Sequence, residues 1–77
     1  MTARLPSLRA LEVIRALERA GFSVVRVKGS HHILEHLKDT SRRTTVPLHK
    51  GKDLPRGLLR KIIDYTSLTV EEFRKLL

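Results

Sequence analysis

Three of the chain's four histidines, His31, His32 and His36, fall within Lys28–His36, KGSHHILEH, just after a Gly-Ser step. Histidines at this density serve metal ligation, nucleophile activation or proton transfer, and the backbone beneath them decides which is available. On a helix, His32 and His36 would stand one turn apart and could share an ion. On a strand they share a face but lie about 13 Å apart, at ~3.3 Å per residue. His31 and His32 would then point to opposite faces. The chain has no cysteine, and no close carboxylate pair completes a ligand set, so metal ligation is disfavoured. Ser30 beside His31 lacks the third orienting group and the strand–turn–helix setting of a hydrolase elbow.

Proton transfer remains. An imidazole titrating near ~6.5 can take a proton at neutral pH. Attack of an RNA 2′-hydroxyl on its neighbouring phosphate needs a base, a proton for the leaving oxygen, and cations near the phosphate. The plain alternative is a set of exposed strand histidines that merely touch phosphate, and composition and spacing alone favour it.

The charge pattern narrows the partner. Sixteen Lys and Arg against eight Asp and Glu give +8. Residues 26–61 hold ten of the cations and only Glu35, Asp39 and Asp53, so +7 of that excess sits in the middle of the chain. Such a field favours a polyanion, nucleic acid first and an acidic protein second. A chain of 77 residues is expected to form one domain, residues 1–77, with a compact core. With no cysteine there is no disulfide scaffold. No apolar run reaches the length of a signal peptide or membrane span, so a soluble chain in a reducing cytoplasm is expected.

The elements that must position these residues follow from periodicity. SLRALEVIRALERA (7–20) reads as an amphipathic helix on Leu8, Leu11, Ile14 and Leu17, widened by Ala10 and Val13. Ser7 is its expected N-cap and Gly21 its left-handed terminator. Glu12 and Glu18 read as part of a solvated face. FSVVRVK (22–28) is rich in β-branched residues and predicts a strand, Gly29-Ser30 a turn, and HHILEHL a second strand. KDTSRR forms a polar turn before a third strand, RTTVPL, which Pro47 confines to a sheet edge or terminates. After the loop HKGKDLPRG, Pro55 is placed to begin a helix. That helix is expected to bury Leu58, Leu59, Ile62, Ile63 and Tyr65. Thr69 and Glu72 have capping-box spacing before a last short helix. The fold class is α+β, with helices over one face of a three-stranded antiparallel meander and the other face free for solvent or a ligand. One Tyr and two Phe, expected in the core, leave little aromatic surface for stacking unpaired bases.

At this point the residues resemble the HicA (YcfA-like) mRNA-interferase toxins of bacterial toxin–antitoxin pairs, over nearly the whole chain. ALERAGF (16–22) is similar to that family's first-helix end, KGSHHIL (28–34) to its Gly-Ser-His signature, and TTVPLHKGKDLPRGLLRKII (44–63) to its Val-Pro-x-His, lysine-rich loop and second-helix start. LTVEEFRKLL resembles its tail. Leu58 departs from the pattern, since members often carry Thr after the glycine.

The resemblance implies a double-stranded-RNA-binding-like α-β-β-β-α(-α) fold and metal-independent endonucleolytic cleavage of mRNA without a cofactor. It also implies inhibition by a HicB-type antitoxin. The family's catalytic histidine follows the Gly-Ser step, which carries over to His31, with His32 second because some members keep a histidine one place later. Lys28, Gly29, Ser30, Arg42, Arg43, His49, Lys50 and Lys52 are the expected RNA-binding set. The alternative is a non-catalytic RNA- or DNA-binding module using the same basic surface.

Overall fold

The structure, a computed structural model, describes residues 4–77, so residues 1–3 of the expected domain lie outside the described residues. The order is α1 (Ala10–Arg19), β1 (Phe22–Lys28), β2 (His31–His36), β3 (Arg43–Pro47), α2 (Arg56–Asp64) and α3 (Val70–Arg74). The three strands form one sheet in the order β1-β2-β3, and both ladders are antiparallel.

Because cross-strand partners share a face, the register sorts the side chains. Phe22 stands opposite His36, Val24 opposite Leu34, and Leu34 and His32 opposite Thr44 and Val46. Phe22, Leu34, Thr44 and Val46 are buried, so this face carries the helices. They pack with Val13, Ala16 and Leu17 of α1, Leu59 and Ile63 of α2, and Phe73 of α3 in one core. The opposite face presents Glu35 with Arg43, Ile33 with Arg26 and Thr45, and His31 with Lys28 and Pro47. The register shifts at a bulge between Val24 and Arg26, which keeps Arg26 and Lys28 on the open face.

Local chemistry sets most of the boundaries. Gly21 ends α1 at φ +98°, and its N–H donates to the Glu18 carbonyl at 3.1 Å, the left-handed terminator its position predicts. β3 is an edge strand and stops at Pro47, where a missing N–H breaks no ladder. Thr69 and Glu72 form the predicted capping box: Glu72 N–H donates to Thr69 Oγ1 at 3.0 Å and Thr69 N–H to Glu72 Oε1 at 2.9 Å.

The start of α1 differs from expectation. The helix begins at Ala10, with Arg9 rather than Ser7 at the N-cap, and Glu12 accepts the Arg9 N–H at 3.0 Å. Glu12 is therefore a helix-start residue as well as part of a solvated face. The cause is tertiary. The Leu8 carbonyl accepts the Leu54 N–H at 2.8 Å, and Arg9 bridges to Asp53, which holds Arg9 extended. Leu8 is buried ahead of the helix, and Leu11, expected in the stripe, is exposed.

Candidate nucleic-acid interface

The hairpin between β1 and β2 positions the first candidate. Lys28 pairs with His31 across a two-residue turn, Gly29-Ser30. Gly29 has φ +60° while Ser30 does not have a positive φ, the sign pattern of a type II′ hairpin, which calls for glycine first. His31 therefore emerges as the first residue of β2 on the open face, exposed, with Lys28 beside it on one side and Pro47 on the other.

The other two clustered histidines turn the opposite way. The half-buried His32 lies opposite Val27 and Val46, with Nδ1 3.3 Å from the Ser30 carbonyl. His36 is a packing residue rather than the surface group its spacing suggests. Its ring meets Phe22 edge-on at 5.1 Å, Nε2 lies 3.1 Å from the Ala20 carbonyl, and Nδ1 accepts the Lys38 N–H at 3.1 Å. With Nδ1 accepting and Nε2–H donating, both nitrogens are satisfied in one neutral tautomer. Among the described residues no three metal-ligating side chains converge.

His31 also lines a groove of about 520 Å³ beside β3. Alternation along β3 supplies one wall, Arg43, Thr45 and Pro47. Leu58 and Lys61 of α2 and its C-cap Tyr65, at i, i+3 and i+7, supply the other. Thr44 and Ile62 lie at its base, where Thr44 Oγ1 donates to the Ile62 carbonyl at 2.9 Å and fastens helix to strand. A second hollow, about 330 Å³, continues past Pro47 and Leu58 to His49 and Lys52. The Leu48 N–H donates to the Ser30 carbonyl at 2.7 Å, so the histidine-bearing turn and the lysine loop are tied at their base.

The expected RNA-binding residues thus divide. Lys28 and Gly29 flank His31 on the exposed side, and Arg43 lines the same groove four residues along β3. Ser30 contributes its carbonyl to the loop tie, and His49, Lys50 and Lys52 form the exposed loop beyond Pro47. Arg43 also pairs with Glu35 at 3.3 Å. Arg42 is engaged in the fold: its Nε donates to the Thr66 carbonyl at 2.7 Å and its guanidinium lies 5.4 Å from the Phe22 ring centroid. Among the described residues, ion pairs engage only Arg9, Arg43 and Arg60 of the Lys and Arg side chains. Most of the positive charge is therefore uncompensated.

Three groove residues escaped the sequence reading: Leu58, Lys61 and Tyr65. Leu58 and Tyr65 were expected in the core, yet Tyr65 is 67% exposed and Leu58 36%. Their spacing with Lys61 was the available signal. Leu59, Ile62 and Ile63 already fill the core face of α2, so a separate 58/61/65 stripe with a cation at its centre had to face elsewhere.

The fold and the site define a small α-β-β-β-α protein with one helix-covered sheet face and one electropositive open face. A family model described as "HicA toxin of bacterial toxin-antitoxin" matches residues 10–68, and the chain belongs to that family. HicA toxins are one half of toxin–antitoxin pairs, so an antitoxin partner follows in general terms. A comparison with curated proteins finds no match. No helix of the described residues is long and apolar enough to cross a membrane.

Proposed function

We propose that the chain is a metal-independent endoribonuclease that cleaves mRNA with His31 as general base, and that a HicB-type antitoxin inhibits it. The observation that carries this reading is the isolation of His31. Of the three clustered histidines, it is the one with an exposed ring on the open face, set between Lys28 and a groove rimmed by Arg43 and Lys61.

In the proposed step, the imidazole of His31 takes the proton of a ribose 2′-hydroxyl. The 2′-oxygen bonds to the adjacent phosphorus, the P–O5′ bond breaks, and the 5′-oxygen takes a proton from solvent. The products are a 2′,3′-cyclic phosphate and a 5′-hydroxyl. Lys28 and Lys61 offset the charge that accumulates on the phosphoryl oxygens. A positioned base of this kind contributes about 10²–10⁴-fold. His32, held on the helix side, is the second-ranked base. The cytoplasm, where mRNA is met, is the proposed location, and an acidic partner suits the net charge of +8.

The test is a defined RNA incubated with purified protein in EDTA. Fragments ending in cyclic phosphate support the ribonuclease. Intact RNA with retained, salt-sensitive binding replaces it with a non-catalytic binding module.

A further inference from the structure

We propose that the groove between β3 and α2 is a stacking subsite for one unpaired nucleobase, so that the substrate is presented to His31 as single-stranded RNA. The inference rests on the ribonuclease reading and adds to it the strandedness of the substrate.

The argument starts from the aromatic residues. Phe22 and Phe73 are buried, at 2% and 0% exposure, whereas Tyr65 is 67% exposed at the end of α2. A tyrosine left in water at a groove wall exposes a flat apolar ring that the core does not use. Thr44 and Ile62 lie beneath, and Leu58 and Pro47 form a further apolar patch toward the other end of the groove. Lys61 stands between Leu58 and Tyr65 on the helix side, and Arg43 lines the strand side at the Tyr65 end.

An apolar slot with cations along its lip matches a nucleotide, which has a flat base and an anionic phosphate. Base–aromatic stacking tolerates any base, because every base offers a π-face. A base in a duplex has both faces covered by its neighbours and cannot enter such a slot, whereas an unpaired base can be splayed out. His31 lines the same groove at its Pro47 end. Tyr65 stands at the Arg43 end, four residues or about 13 Å along β3, so a base seated on Tyr65 holds the strand one or two nucleotides from the proposed base. An unpaired, splayed nucleotide is also the geometry in which a 2′-oxygen can swing into line with its own phosphate. A-form helix constrains that motion.

Tyr65 is the only tyrosine and the chain has no tryptophan, so intrinsic emission reports on this ring alone. The wild-type protein is titrated with a six-nucleotide 2′-fluoro strand, which has no 2′-hydroxyl and cannot be cleaved. Parallel titrations use an abasic strand of equal length and charge, and the duplex of the six-mer with its complement. The base-bearing single strand is expected to bind about tenfold tighter than the abasic one and to quench Tyr65 emission, a gain within the range measured per stacked base. Tyr65→Phe is expected to keep the tenfold gain. Tyr65→Ala is expected to remove it and leave abasic binding unchanged, since phosphate contacts remain.

Equal affinity for base-bearing and abasic strands overturns the proposal. So does a duplex that binds as tightly as the single strand with the same dependence on Tyr65. Neither result touches the ribonuclease reading, which fragments from unmodified RNA decide separately.

Discussion

A Cβ placed on Gly21 would stand 3.0 Å from Nε2 of His36, the nitrogen that donates to the Ala20 carbonyl. The helix terminator and the last histidine of the cluster are thus one structural unit. Gly21→Ala meets both a positive φ and this contact, and is expected to cost about 2 kcal/mol or more. Urea unfolding should show a lower midpoint with an unchanged slope. In a His36→Ala background the contact is gone and only the backbone strain remains, so the same substitution should cost measurably less.

His31→Ala should abolish growth arrest on expression and lower the cleavage rate by about 10²–10⁴-fold. Since the side chain is exposed, the unfolding free energy should stay within about 0.5 kcal/mol of wild type. His32→Ala should show the reverse pattern, with cleavage retained and stability reduced, because that ring lies against the helix side of the sheet. A fully toxic His31→Ala with a harmless folded His32→Ala would transfer the base to His32.

Lys61 and Arg42 separate a ligand cation from a structural one. Lys61→Ala should weaken RNA binding and reduce the slope of log K against log salt by about 0.7, one phosphate contact on a single strand. Arg42→Lys loses the Nε bond to the Thr66 carbonyl and the planar contact with Phe22. It should lower stability by about 1–2 kcal/mol with little change in that slope. Binding isotherms at several salt concentrations, beside urea titrations, check both.

Two exposed carboxylates should give the fold an acid limit. Asp39 is held below its ordinary value mainly by the Ser41 hydroxyl, then by the Ser41 N–H. Glu72 is held below its own mainly by the Thr69 N–H, then by the Thr69 hydroxyl. A carboxylate whose folded pKa is depressed contributes stability that is present above its unfolded pKa and lost as pH falls through the folded one. Urea midpoints should therefore decline as the solution is taken below the ordinary carboxylate range. Glu72→Gln keeps an acceptor for the Thr69 N–H and removes the charge, so its decline should be shallower.

The sequence made the local structure legible. β1 runs from Phe22 to Lys28 as its β-branched residues predict, Gly21 terminates α1, Pro47 ends an edge strand, and Thr69 with Glu72 opens α3. Each of these follows from the chemistry of a residue and its near neighbours. What the sequence hid was decided between distant residues. Ser7 lost the N-cap because Leu8 and Arg9 are drawn into contact with Leu54 and Asp53, some forty-five residues on. His36 became a packing residue through Phe22 and Ala20 across the hairpin. Tyr65 fits an apolar helical pattern, but Leu59, Ile62 and Ile63 fill the core face and Tyr65 caps the helix in solvent. In the candidate site, the alternation that sets His31 apart from His32 was readable from strand geometry. The groove was not, because one of its walls comes from an element that starts nine residues after β3 ends.

The two-residue turn at Gly29-Ser30 has a consequence for which histidine the protein exposes. Strand faces alternate, so the turn acts as a parity counter for everything downstream of it. If β2 slipped by one residue against β1, His31 would swing under the helices and its neighbour would take the open position. The choice between two adjacent, chemically identical imidazoles is thus written in the register of a hairpin, not in either side chain.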